Sequence, residues 1–103
     1  MKFLLMVRVK SNAVPNADMI RIHKQFIRRL QENGKAEAVY TFAGSNDGMS
    51  ILNVDSFEEL NDLMTQTPAR AICDIDVYPL SDFQNQMDRI IQICEMQQKA
   101  GTS

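Results

Sequence analysis

His23 is the only histidine of the chain, and it falls within the run Met19, Ile22, Phe26, Ile27 and Leu30, whose three- and four-residue spacing writes one apolar face of a helix. An imidazole ordinarily titrates near neutral pH, so a histidine on such a face is suited to take up and return a proton. The competing reading is a histidine at the edge of the core, hydrogen-bonded to a neighbouring carbonyl. Asp74 and Asp76 lie two residues apart in an alternating stretch and share a strand face with Ile72 and Tyr78. Paired carboxylates in a partly buried pocket can form a proton-transfer couple with a histidine, and Asp74 is also a candidate for contact with substrate. On an exposed face they serve instead to discourage edge pairing. Arg8 can hold an anionic substrate group by a bidentate contact, or make a surface ion pair. Arg21, Lys24 and Arg28 recur at helical spacing opposite the apolar face and read as solvated charge.

Other chemistries find no footing. There is no Ser–His–Asp arrangement, phosphate-binding glycine loop or metal-ligand cluster, and Cys73 and Cys94 show neither C-x-x-C spacing nor a histidine partner. Both cysteines read as buried free thiols. No metal and no cofactor are expected. A formal charge of −2 gives no electrostatic footprint for nucleic acid, and the segment Gly48–Met49–Ser50–Ile51–Leu52 lacks the stacking aromatics of a sheet that binds RNA. With 103 residues, 45% of them hydrophobic, the chain suffices for one domain with one core. No apolar run approaches the length of a membrane span, and Arg8 interrupts the first one too early for a signal peptide, so a soluble, cytoplasmic protein is expected.

The elements that must position these residues follow from periodicity. Phe3, Leu5, Val7 and Val9 alternate with Lys2, Leu4, Met6 and Arg8 in a first strand. Asn16 caps the helix that carries His23, and Gly34 stops it. Strands over Ala36 to Phe42 and Met49 to Val54 are joined by Gly44–Ser45–Asn46–Asp47–Gly48. Ser56 and Glu59 form a capping box for a second helix, whose stripe is Phe57, Leu60, Leu63 and Met64 and which ends before Pro68. A fourth strand is expected from Ala71 to Tyr78, closing at Pro79. The order is βαββαβ, a ferredoxin-like α+β domain over residues 1–80. Ser81 and Gln84 form a capping box that opens a third helix over residues 81–98, with Phe83, Met87, Ile90, Ile91 and Cys94 on one face, packing on the domain or on a partner subunit.

Leu30–Gln31–Glu32–Asn33–Gly34, the turn Tyr40–Thr41–Phe42–Ala43–Gly44, and Ser50–Ile51–Leu52–Asn53–Val54 leading into Ser56–Phe57–Glu58–Glu59–Leu60 together resemble muconolactone delta-isomerase and its relatives, over roughly residues 1–80. The resemblance implies a dimeric α+β barrel, in which two ferredoxin-like sheets face one another, often assembled further into a ring. It implies a chemistry as well: proton transfer on a small unsaturated lactone, without metal or organic cofactor, in a pocket between helices and sheet. An acidic residue on the first helix is the acid–base group of that family, and ungapped pairing back from Leu30 puts His23 at its position. Tyr40 and Ser50 resemble pocket positions and can donate hydrogen bonds to a carbonyl or enolate oxygen.

The expected site is therefore His23, Tyr40 and Ser50 as the catalytic group, with Arg8, Met6, Met49, Met64 and Asp74 contacting substrate. The methionines offer an adaptable apolar lining, or simply fill the core. The expected function is isomerisation of a small lactone, enone or polyketide-like substrate by a homodimer or larger ring, with no nucleic acid or membrane partner. A cofactor-independent monooxygenase or cyclase of the same fold, and a non-catalytic ligand-binding or assembly module, are the alternatives.

Overall fold

The alternation of apolar and mixed residues from Lys2 to Val9 becomes the central-sheet strand β1, and its neighbours follow the expected order. The computed structural model describes residues 1–102, with β1 (Lys2–Val9), α1 (Ala17–Glu32), β2 (Ala36–Thr41), β3 (Gly48–Asn53), α2 (Phe57–Gln66), a 3-10 turn (Pro68–Ala71), β4 (Cys73–Leu80) and α3 (Phe83–Thr102). The four strands form one antiparallel sheet in the order β2-β3-β1-β4, the ferredoxin-like arrangement. Leu5 stands opposite Ser50 of β3 and Val77 of β4, which fixes the register on both sides.

Helices α1 and α2 cover one sheet face. Phe3, Leu5, Leu30, Ala36, Leu52, Val54 and Leu60 form the buried core, with Phe26, Ile27, Leu63, Met64 and Ile75 against it. Phe57 is mostly exposed yet sets its ring edge-on to Phe3, the centroids 6.0 Å apart. Ile22, expected on the apolar stripe of α1, is exposed.

Local chemistry sets the ends of these elements. The Asn16 side chain accepts from the Met19 amide at 2.9 Å and caps α1, and Gly34 supplies the positive φ that leaves the helix. In the β2–β3 hairpin Gly44 also has a positive φ, and the Asp47 carboxylate accepts from the Val9 amide at 2.8 Å, tying the hairpin to the end of β1. Gly48 is needed for space rather than torsion, since a Cβ there would lie 2.5 Å from the Tyr40 carbonyl oxygen. At α2 the Ser56 hydroxyl accepts from the Glu59 amide, but the Glu59 carboxylate returns to Asp55 rather than to Ser56. Its other oxygen takes the Lys35 ammonium at 2.7 Å. That contact lowers the Glu59 carboxyl and raises the Lys35 ammonium from their ordinary values.

Three expectations need correction. Strand β4 starts two residues later and runs through Pro79 to Leu80, because Pro68–Ala71 winds into the 3-10 turn and β4 is an edge strand, where a proline need not break the ladder. Helix α3 is capped by Asp82, whose carboxylate accepts from the Asn85 amide at 2.9 Å, not by a Ser81–Gln84 box, and it continues past Gln98 to Thr102. It does not pack on its own domain. Phe83, Ile90, Ile91, Ile93 and Met96 are exposed along it, and the molecule is 68 Å in its longest dimension against 29 and 22 Å in the others. Among the described residues no helix is long and apolar enough to cross a membrane.

Candidate active site

The apolar stripe of α1 faces the sheet, and His23 shares cavity walls with Val7 of β1. Three cavities adjoin the pair. The innermost, about 40 Å³, runs into the core between Phe26, Leu30, Leu52, Leu63 and Ile75 and is also lined by Ser50. A second, about 110 Å³, adds Val39, Thr41, Asn46 and Gly48. The third is a cleft of about 450 Å³ that reaches Pro15, Met19, Ile20, Pro68, Ile72 and Cys73. Val7 and His23 line all three.

His23 Nδ1 is the only buried side-chain nitrogen or oxygen among the described residues that lacks a hydrogen-bond partner. Buried polar atoms are nearly always satisfied, and this orphan belongs to the ring that lines all three cavities. Burial also holds the imidazole below its ordinary pKa. The ring is thus neutral at pH 7, and with the proton on Nε2 the Nδ1 lone pair is free to accept another. The core-edge reading, in which a backbone carbonyl holds the histidine, does not describe Nδ1.

Ser50 is buried, at 7% exposure, and lines the two inner cavities with His23. Met64 joins them from α2. Tyr40 and Met49 border the second cavity, but they pair with each other across β2 and β3 with the opposite parity to Ser50, and the Tyr40 side chain is 68% exposed. Their side chains belong to the open face of the sheet. Met6 and Arg8 lie there as well, since they alternate with Leu5 and Val7, which face the helices. Arg8 spends its guanidinium on Asp76 at 2.7 Å. Asp74 borders an open hollow with Lys10, Asn61 and Arg70 that shares Met64, Cys73 and Ile75 with the walls of the His23 cavities. Asp74 and Asp76 stand opposite Arg8 and Met6 across β1 and β4, with the opposite parity to Val7 and Ile75, so the pair lies off the cavity walls that carry His23 and the expected proton-transfer couple does not form.

Neither cysteine is buried as expected. Cys73 is half-buried on the cleft wall and Cys94 is exposed on α3; both are free. Burial, with Asp47 and Asp74 nearby, pushes the Cys73 thiol up and keeps it protonated at neutral pH. No group of three or more His, Cys, Asp or Glu side chains among the described residues is placed to hold a metal ion. Thr41 and Asn46, absent from the sequence reading of the site, line the second cavity and the outer cleft with His23. A polar residue in a hairpin loop carries no signal of its own, and only the fold back of β2–β3 toward α1 brings Asn46 to the histidine.

No protein of curated function matches the chain. Among solved structures, the fold superposes on a muconolactone isomerase with a TM-score of 0.68 and 27% identity, over 80% of this chain and 90% of that one. A 5-chloro-2-hydroxyhydroquinone dehydrochlorinase from Burkholderia phenoliruptrix AC1100, solved with 2,5-dihydroxybenzoquinone, gives the same TM-score at 13% identity, over 82% of this chain and 98% of that one; the likeness is one of fold. The family model for muconolactone delta-isomerase matches residues 1–86, a span that holds all four strands, both sheet-covering helices and His23 and leaves most of α3 outside. The chain therefore belongs to the muconolactone delta-isomerase family.

Proposed function

We propose that the protein is an isomerase that moves a proton along a small unsaturated lactone, enone or polyketide-like substrate, using its own side chains and no cofactor. The observation that carries this reading is His23, whose ring lines three adjoining cavities and whose buried Nδ1 has no hydrogen-bond partner among the described residues. In the resting state the neutral imidazole accepts a proton from the carbon next to the substrate carbonyl. The charge moves onto the carbonyl oxygen as an enolate, and the imidazolium returns the proton farther along the conjugated system. Ser50 is the better situated of the two hydroxyls for that oxygen, because it is buried beside His23 whereas Tyr40 points to the open face. An oxygen stabilised by a fixed donor in a dry site lowers the barrier more than one stabilised by water.

The reading is tested with an unsaturated γ-lactone in D2O, following isomerisation by ultraviolet absorbance and deuterium uptake by NMR. The wild type should isomerise and exchange. His23→Gln should be slower by about 10²–10⁴-fold, the usual loss for a positioned proton-transfer group. A variant as fast as wild type would remove His23 from the chemistry.

A second reading is a ligand-binding module without turnover. It is favoured by the lining of the three cavities, which among the described residues includes no Asp or Glu and leaves His23 as the only side chain there that titrates near neutral pH. Binding without exchange in D2O would select it. In either case the chain is proposed to act as a homodimer or larger ring. The support is an apolar sheet face turned away from the helices, with Leu4, Met6, Met49, Ile51 and Tyr78 on it, and an α3 stripe uncovered by its own chain.

A further inference from the structure

We infer that α3 pairs with α3 of a second copy of this chain, antiparallel and about a two-fold axis, so that Phe83 of each helix meets Cys94 of the other. The inference rests on the proposed self-association and names what this helix meets; it is independent of the chemistry at His23. Phe83, Met87, Ile90 and Cys94 recur at spacings of four, three and four residues, the seam of a left-handed helix pair, and Ile91 and Ile93 flank it. Met87 is half-buried and the other five are exposed, so the seam has no cover within the chain.

The charges of the helix select the kind of partner. Asp88 and Glu95 balance Arg89 and Lys99, and all four lie off the seam by helical spacing. A helix that settles on an anionic membrane carries an excess of Lys and Arg on its polar face, which α3 lacks. The positions beside the seam, Gln84 and Gln86 with Ile91 and Ile93, are uncharged, so a second α3 meets no like charge there, whereas a partner helix with charged flanks finds no counter-ion. The open sheet face is a poor match for a single helix, since four strands about 4.8 Å apart are wider than a helix about 10 Å across. Side-chain size sets the direction. Antiparallel pairing puts Phe83 opposite Cys94 and Met87 opposite Ile90, large against small at the ends and alike in the middle; parallel pairing stacks Phe on Phe and leaves Cys against Cys.

The test is disulfide trapping in the full chain, in a Cys73→Ser background that leaves Cys94 as the one native thiol. Phe83→Cys, oxidised with copper phenanthroline at micromolar concentration, should give a covalent dimer in which peptide mapping joins the substituted position to Cys94 of the second copy. The background protein alone should give no link between two Cys94 residues, because antiparallel pairing holds them about 16 Å apart along the axis, beyond the reach of a disulfide. Ile90→Glu, a charge at the middle of the seam, should suppress the trapping and loosen the association about 30-fold or more. A link between two Cys94 residues, no link in either protein, or trapping that Ile90→Glu leaves unchanged would overturn the inference, and so would cosedimentation of the wild type with phosphatidylserine vesicles that Ile90→Glu abolishes. Sedimentation separates the pairing from the wider association. Ile51→Glu, a charge on the open sheet face, should still sediment as a dimer joined through α3, and a wild type larger than a monomer without any trapping would remove the pairing and keep the association.

Discussion

At the scale of single residues the titration of His23 has a sign that can be checked. Burial lowers its pKa in the folded protein relative to the ordinary value near 6.5, so below that value the unfolded chain binds more protons than the folded one. The stability contributed by keeping His23 neutral is fully present above the unfolded pKa and is lost as pH falls through the folded one. Denaturant unfolding followed from pH 7.5 down to 5 should show this loss in the wild type and a flatter profile in His23→Gln. Activity should fall over the same acid range with an apparent pKa below 6.5, because only the neutral ring is a base. His23 was legible from the sequence as a lone histidine on an apolar stripe. Met6 and Arg8 were misplaced for a reason equally legible: Phe3, Leu5 and Val7 claim the helix-facing side of β1, and strand alternation leaves the even positions to the other face. Ser50 came from family resemblance alone. Asn46 required the folded hairpin.

At the scale of elements the hairpin is the part that aligns the site, since β3 carries Ser50 and the loop carries Asn46. Gly48 packs so near β2 that an added Cβ would meet the Tyr40 carbonyl at 2.5 Å, and a backbone oxygen in a ladder has nowhere to withdraw. Gly48→Ala should therefore destabilise by about 1–3 kcal/mol, as overpacking does, and should weaken ligand binding at His23 as the hairpin shifts. A thermal melt and a binding isotherm check both. In the core below, Leu52 is 3% exposed, and Leu52→Ala should cost about 2–5 kcal/mol through lost burial and a cavity. Helices α1 and α2 were readable because stripe, cap and stop signal agree at each. The start of β4 was not, because Ala71 and Ile72 extend its apolar run in sequence while Pro68 opens a 3-10 turn that takes in Ala71 and is capped by Ile72. Asp82 outcompeted Ser81 as the cap of α3 because both residue types cap well and only the backbone path decides between them.

At the scale of the whole molecule two apolar surfaces have no cover within the chain. One is the open sheet face, bounded at one end by the Lys2–Glu37 pair and at the other by Arg8–Asp76. The other is α3, on which Phe83, Ile90, Ile91 and Cys94 face solvent, while Asp88, Arg89, Glu95 and Lys99 lie off that stripe by helical spacing. A 20-residue helix of this composition is marginal in water unless its stripe is buried. The full chain is therefore expected to sediment as a dimer or larger species at micromolar concentration; a clean monomer would sink the association. The surfaces separate by mutation. Ile51→Glu, half-buried at the centre of the open face, should break the sheet-to-sheet contact by placing a charge in it. Truncation after Leu80 should leave the melting temperature of the sheet and its two helices nearly unchanged, because α3 lends that body little, yet it should reduce the size of the assembly. If truncation lowered the melting temperature of an already monomeric Ile51→Glu variant, α3 would have to dock on its own domain in solution, and its role in assembly would be wrong.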